Sequence, residues 1–363
     1  MIITPEDNKT KGRTELMREW KGYRKGINLG GWFAQNDHLE KTYDTFITED
    51  DFKVFSKWGI DHVRIPFDYH LLEDQKGNYR ESGFKRLENA ISLCFKYDLR
   101  VILDLHRVYG FSFDMGYGEF GFFDEPDLQE RFYKLWEEIA KRFGHLHGKV
   151  AFELLNEITE QSYGVRWNKI ARVCIGRIRK ITTETDIVVG SYWNNSYMSL
   201  NDLDIQLDDH IIYTFHCYDP LIFTHQGANW INEMPVDYRY SIKNKTYEQI
   251  NEEFARDFKD WVAANRILVP GGSENPVFGK DFFTSSFSSA IALAEKLNVP
   301  LYCGEYGCIM YTDPEDELFW FKAIHEAFEE INVARAVWTY KEFHFGIADK
   351  RLDGVREELL KCL

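Results

Sequence analysis

Apolar residues along this chain fall into two kinds of run. Short continuous blocks read as strands covered on both faces, and longer stretches with apolar positions at helical spacing read as amphipathic helices. Gly26-Ile-Asn28 opens the series as a strand that runs into the turn Leu-Gly30-Gly31-Trp32. A helix around Glu49 to Trp58 leads to the strand Asp61-His-Val-Arg64-Ile-Pro66, which its proline closes. Phe84, Leu87, Ile91, Cys94 and Phe95 mark the next helix, and Leu99 to His106 a third strand. Leu128, Phe132, Leu135, Trp136, Ile139, Ala140 and Phe143 trace another helix face before Val150-Ala-Phe-Glu-Leu-Leu-Asn156-Glu157, a strand ending in an amide and a carboxylate.

The alternation continues through a helix near 165–182, a strand at Ile187 to Gly190 and another at His210 to His216. A long segment at about 219–283 follows, rich in Asn, Gly and aromatics, with its own helical piece near Tyr247 to Ala264. It reads as an insertion over the strand ends, because the alternation then resumes. A helix at about 286–297 precedes the strand Leu301-Tyr-Cys-Gly304-Glu305-Tyr-Gly307, and a helix from about Glu315 to Glu330 precedes the last strand, Ala334 to Thr339. Residues 1–21, with Leu16, Met17 and Trp20 as their anchors, read as an N-terminal arm, and residues 22–363 as one catalytic domain. Eight strands separated by helices predict an α/β fold, a (β/α)8 TIM barrel with an insertion after strand six. A doubly wound open sheet is the alternative.

Charge narrows the partners. With 44 Lys and Arg against 59 Asp and Glu, the net charge of −15 argues against a nucleic-acid or anionic-membrane surface, which needs clustered cations. A neutral substrate fits, and 16% aromatic residues suit a ring-lined cleft. None of the six cysteines forms a C-x-x-C pair, so reduced core thiols are expected. The first residues lack the apolar stretch of a secretory leader, which predicts a cytoplasmic protein by default. A leader trimmed from the natural chain would instead imply secretion. A monomer is expected.

In a barrel every strand delivers its carboxyl end to one rim, where active sites of this fold lie. The polar residues at those ends are Asn28, Arg64, His106, Asn156 with Glu157, His216 with Tyr218, Glu305, and Trp338. Two glutamates facing each other suit glycoside hydrolysis: one carboxylic acid protonates the leaving oxygen while the second carboxylate handles the anomeric carbon. Arg64 and Tyr218 are placed to hold Glu305 ionised, Asn156 to bind the 2-hydroxyl, His106 and His216 to bind hydroxyls, and Trp338 to stack on a pyranose. Trp193 on the strand-five loop and Trp230 in the insertion are candidate sugar platforms. Phe223, His225, Gln226, Tyr117, Phe120 and Phe122 are weaker ones.

The ordered set Arg64, His106, Asn156-Glu157, His216-x-Tyr218, Glu305 and Trp338 resembles glycoside hydrolase family 5 of the retaining clan A. The segments Gly-Ile-Asn-Leu-Gly-Gly-Trp, Phe-Glu-Leu-Leu-Asn-Glu, Phe-Thr-His-Gln and Tyr-Cys-Gly-Glu-Tyr-Gly are similar to the compact clostridial endoglucanase C type within it. The resemblance implies a (β/α)8 barrel with Glu157 as acid/base and Glu305 as nucleophile. It implies a retaining endo-β-glucanase acting on β-1,4 or mixed β-1,3-1,4 glucans such as cellulose derivatives and barley β-glucan, without cofactor. Other activities of the family (exo-β-1,3-glucanase, mannanase, β-glucosidase-like) stay open, as does a non-catalytic glucan-binding barrel. Arg107 departs from the second histidine that many members carry after the strand-three histidine, which bears on the −1 to −2 sugar contacts. His325-Glu326 begins like a zinc-protease motif, but Glu329 stands where the second histidine belongs, so no metal is expected. Gly272 to Lys280 has the wrong spacing for a phosphate loop.

Overall fold

The computed structural model of the protein describes residues 17–114, 116, 118–231, 233–259 and 277–363. Among these, eight parallel strands form a closed barrel in chain order. They are β1 (Lys25–Asn28), β2 (His62–Asp68), β3 (Arg100–Arg107), β4 (Val150–Glu153), β5 (Ile187–Val189), β6 (Ile211–Cys217), β7 (Leu301–Tyr306) and β8 (Ala334–Val337). Closure is made by β1 against β8, in register Lys25↔Arg335, Gly26↔Ala336 and Ile27↔Val337. Between strands run α1 (Glu49–Lys57), α2 (Glu81–Lys96), α3 (Pro126–Phe143), α4 (Gly164–Arg179), α5 (Tyr247–Asp257), α6 (Lys280–Ser286), α7 (Ser288–Leu297) and α8 (Pro314–Ile331). Their starts follow local chemistry. Thr48 and Asp51 form a reciprocal capping box ahead of α1, and the Asp313 carboxylate accepts from the amides of Glu315 and Asp316 at the head of α8. The doubly wound alternative is thereby excluded.

The barrel interior is layered because side chains on one strand alternate between inside and outside. Ile102, Ala151, Val188, Ile212, Tyr302, Ala334 and Ala336 make one inner apolar cluster, closed by Trp20 and Tyr23. Trp20 stacks on Tyr23 at 3.9 Å between centroids, meets Tyr302 edge-on, and donates its indole N–H to Asp186 at 2.8 Å. The arm expected at the N-terminus therefore does more than lie on the surface: Met17 and Trp20 are buried. Residues 1–16 lie outside the described residues. His62 fills the space beside this plug, with Nε2 3.1 Å from the Tyr302 hydroxyl. It fits because position 26 on the neighbouring strand is glycine, where a Cβ would stand 2.1 Å from His62 Nε2.

Two residues further along the same inward-facing rows, the lining turns polar. Ile102 gives way to Asp104 and then His106, and Ala151 to Glu153, so the apolar floor carries a buried ionic layer on which the rim rests. Replacing Trp20 by alanine should open the plug and cost about 3–5 kcal/mol, as for other buried tryptophans. Urea titration should show the lower midpoint, while kcat of the folded protein stays close to that of the parent, because the plug and the rim lie at opposite ends.

Between β6 and β7 the described residues carry α5, α6 and α7. Gln226 holds this segment together: its amide nitrogen donates to Phe223 O and Tyr240 O, and its oxygen accepts from the Tyr240 amide. The helical piece expected to reach Ala264 is described only as far as Asp257, and positions 260–264 lie outside the described residues.

Candidate active site

Arg64 on β2 is the residue from which the rim is assembled. Its guanidinium grips both oxygens of Glu153, Nε to Oε2 at 2.7 Å and Nη2 to Oε1 at 3.0 Å. Nη1 reaches Asn28 Oδ1 at 3.0 Å and Glu305 Oε1 at 2.7 Å. Nη2 also donates to Asn156 Oδ1 at 2.9 Å and faces Asp104 Oδ2 at 3.0 Å. A fully buried cation is tolerated only with such pairing. Burial opposes its charge, but Asp104, Glu153 and Glu305 outweigh that cost and keep the guanidinium protonated. Neither Asp104 nor Glu153 was among the predicted site residues. The available signal was a carboxylate inside an otherwise apolar buried strand, which requires a counter-charge.

Around this hub each predicted rim residue takes a defined place. Asn28 spends its amide nitrogen on the carbonyls of Gly304, Ala336 and Val337 and its oxygen on Arg64, so it ties β1 to β7 and β8 and supports the site from below. Asn156 is held by its oxygen alone. Its buried Nδ2 has no partner among the described residues and is available to donate. His106 sets Nδ1 2.7 Å from Asp104 Oδ2, and its ring lies parallel to Trp338 at 5.6 Å. Burial pushes the His106 ring down to about 3, so it is neutral, with Nδ1–H on Asp104 and Nε2 as acceptor. Burial pushes Asp104 itself up to about 7 against the pull of Arg64.

The two predicted glutamates face each other. Glu305 Oε1 takes the Arg64 bond, and Oε2 accepts the Tyr218 hydroxyl at 2.8 Å. Glu157 has left-handed backbone, φ 36°; its Oε1 lies 2.8 Å from His216 Nδ1, and its Oε2 accepts from Asn194 Nδ2 at 3.1 Å. One oxygen of each glutamate and a ring nitrogen of His216 all lie within 4.8 Å of one another. Burial pushes the Glu157 carboxyl up, while the Asn194 hydrogen bond and the Arg64 charge pull it down. Burial pushes His216 down to about 4, leaving it neutral. The trio has donor types that could hold a metal ion. A cation among them would compete with the 2.8 Å contact between His216 Nδ1 and Glu157 Oε1 and with the Tyr218 bond to Glu305 Oε2, so the donor set suits proton transfer better.

The aromatic candidates divide. Trp338 is buried at the rim against His106, Trp193 is half-buried in edge contact with Tyr192, and Trp230 is 48% exposed beside His344 and Phe345. Phe223 and Phe122 are corrected: both are fully buried in the core, and Gln226 is consumed by the staple described above. Burial pushes His225 down to about 3. Phe120 is exposed, and Tyr117 lies outside the described residues. Arg107, the departure noted from the sequence, pairs with Asp68 at 3.2 Å and comes within 3.3 Å of His38, bringing a positive charge next to His106 along the chain.

Carboxylates whose oxygens approach within 4.8 Å stand closer than the roughly 6.5–9.5 Å at which an inverting pair seats both the sugar and an attacking water, and near the about 5–5.5 Å of a retaining pair. One is gripped by an arginine and a phenol, and the other sits in surroundings that favour a proton. That pairing supports displacement by the first with proton transfer by the second.

Comparison with known proteins agrees with this geometry. Residues 21–344 match the model of the cellulases, glycosyl hydrolase family 5. The chain is 41% identical to cellodextrinase A of Ruminococcus flavefaciens over 322 residues, 88% of this chain and 86% of that protein. It is 35% identical to endoglucanase C of Acetivibrio thermocellus over 344 residues, 94% and 98% of the two. Among solved structures, the clostridial cellulose synthase subunit Z from Clostridioides difficile matches with a TM-score of 0.72 at 27% identity, covering 94% of this chain and 99% of that one. Thermotoga maritima Cel5A, solved with cellobiose, shares the fold at TM-score 0.72 and 22% identity, over 96% and 98% of the two chains. With a matching family model over most of its length and two long relatives above 30% identity, the chain belongs to glycosyl hydrolase family 5, the cellulases.

Proposed function

We propose that this protein is an endo-β-1,4-glucanase that works with retention of configuration, with Glu157 as acid/base and Glu305 as nucleophile. The observation that carries this reading is the close approach of the two carboxylates in contrasting surroundings. Glu157 gives its proton to the glycosidic oxygen while a Glu305 oxygen attacks the anomeric carbon. A glycosyl ester on Glu305 results, and the aglycone leaves. Glu157, now a carboxylate, takes a proton from water as that water displaces Glu305. Asn156 Nδ2 is the donor for the 2-hydroxyl, Nε2 of His106 an acceptor for a neighbouring hydroxyl, and Trp338 the platform beneath the sugar at the point of cleavage. Trp193 and Trp230 would stack against further sugars.

The names of the two long relatives, an endoglucanase and a cellodextrinase, support β-1,4-glucan chains as substrate and frame a second reading in which short oligosaccharides are preferred. Reducing-end release from carboxymethylcellulose, barley β-glucan, laminarin and glucomannan, beside a ladder of cellodextrins, separates these. Mixed oligosaccharides released early from the first two polymers are expected. Turnover of cellodextrins alone would favour the second reading, and a laminarin preference would move the linkage to β-1,3.

Glutamine at position 157 should cut kcat/KM on cellodextrins by about 10²–10⁴-fold, the usual worth of general acid catalysis. Aryl cellobiosides with good leaving groups should lose far less, since their departing oxygen needs little protonation. Equal losses on both would sink the acid assignment. Burial raises the proton affinity of Glu157, so the acid persists above the ordinary carboxylate range. Activity on glucan should fall as pH rises through that raised value, and this basic limb should be absent with dinitrophenyl cellobioside.

A further inference from the structure

Residues 193–195 follow β5 with three consecutive left-handed backbone conformations, φ 53°, 55° and 56°. That region disfavours every residue with a Cβ, least of all asparagine, and a tryptophan there is strained. Two of the three are Asn194 and Asn195, and the turn is fastened on several sides. The Asn194 amide donates to Ile158 O at 2.9 Å, and the Ser196 amide to Tyr192 O at 3.2 Å. Ser196 also bridges in parallel to His216. Asn195 is fully buried, and its side chain fits because position 190 is glycine, where a Cβ would come within 2.3 Å of Asn195 Oδ1.

The strain places two amides. Asn194 Nδ2 donates to Glu157 Oε2 at 3.1 Å, and Asn195 Nδ2 lies 3.4 Å from His216 Nε2. The same imidazole sets Nδ1 2.8 Å from Glu157 Oε1. An amide N–H given to Nε2 leaves the ring proton on Nδ1, aimed at the carboxylate. Both oxygens of Glu157 are thus addressed from one turn, one directly and one through the histidine. We propose that Asn194 and Asn195 are positioning residues for Glu157, and that the strained turn after β5 exists to aim and poise this carboxyl group. The proposal rests on Glu157 being the acid/base. Neither residue was among those picked from the sequence.

The other groups facing Glu157 are Arg64 on β2, Asp104 and His106 on β3, Tyr218 after β6 and Glu305 on β7. Arg64 is fully engaged elsewhere, and His106 is neutral. The amide and imidazole donors are then the close contacts that favour the carboxylate form against burial. Without them Glu157 would keep its proton to higher pH and lose its fixed orientation.

The decisive variant is Asn194→Gly, which keeps the left-handed turn without strain and removes only the amide. The basic limb of kcat/KM on cellotetraose should move up by about one pH unit, the scale of one hydrogen bond to a charged group. Its plateau should fall about tenfold, while kcat/KM for dinitrophenyl cellobioside stays within about twofold. Asn194→Asp, which puts a like charge on Oε2, should move the limb further in the same direction. An unmoved limb in both folded variants overturns the role of Asn194. For Asn195, ¹⁵N shifts of His216 should report the Nδ1–H tautomer, changing to Nε2–H in Asn195→Asp. An Nε2–H ring in the unsubstituted protein overturns the second route. Failure of the underlying reading looks different, because Glu157→Gln would then leave the basic limb in place.

Discussion

Glu305→Gln is expected to lower turnover by a factor on the order of 10⁵ on cellodextrins, glucan and aryl cellobiosides alike, the scale seen when a covalent nucleophile is removed. The substitution is close to isosteric, so Tyr218 and Arg64 keep a neighbour of the same shape at the positions now 2.8 and 2.7 Å from the carboxylate. What disappears is the ability to form an ester. A good leaving group gives no relief, in contrast to the Glu157 variant, because bond formation at the anomeric carbon is what is lost, while Glu157 still assists the leaving group. A 2-deoxy-2-fluoro glycoside should label the parent protein stoichiometrically at Glu305, read by mass spectrometry of the peptide, and should leave the variant unlabelled. Label on another carboxylate would refute the assignment.

Arg64→Met should have the largest effect on stability. It removes the guanidinium that pairs with Glu153, Asp104 and Glu305 and leaves buried carboxylates facing one another. Breaking a buried pair from one side costs about 3–5 kcal/mol, and here several acids are stranded at once. The loss should depend on pH. Glu153 and Asp104 are already pushed up by burial, Asp104 to about 7, with Arg64 pulling both down. Without Arg64 they rise further above their unfolded values, so the folded variant binds more protons than the unfolded chain. Its stability should be greatest near pH 4 and fall as pH rises, as linkage requires. Denaturant titration at several pH values checks this. Adding Glu153→Gln should recover part of the loss, whereas a second loss of full size would mean that the two residues act independently.

The architecture and the rim were legible for a shared reason. Parallel strands covered on both faces show as apolar blocks, and a polar residue at the end of such a block is conspicuous: Arg64, His106, Asn156, Glu157, His216 and Glu305 all stood out that way. Asp104 and Glu153 stood inside the blocks, where a carboxylate looks like an interruption until the barrel brings Arg64 to it. Asn194 and Asn195 carry no periodic pattern at all, since a left-handed turn is written in three residues and shows its purpose only through Glu157 and His216 on other strands. In the segment after β6, rings that line a groove and rings that pack a core have the same composition. Phe223 and Gln226 were therefore grouped with Trp230, although only Trp230 is exposed.

The partners of Arg64 come from β1, β3, β7 and both β4 and the loop that leaves it, gathered around a residue of β2. No contiguous half of the chain contains them all. A fragment ending before β7 would lack Glu305, and one beginning after β2 would lack the arginine that holds it. Hydrolysis by this protein therefore counts closed barrels. In a refolding or limited-proteolysis experiment its recovery should track closure of the barrel, β1 against β8, and not the appearance of helix.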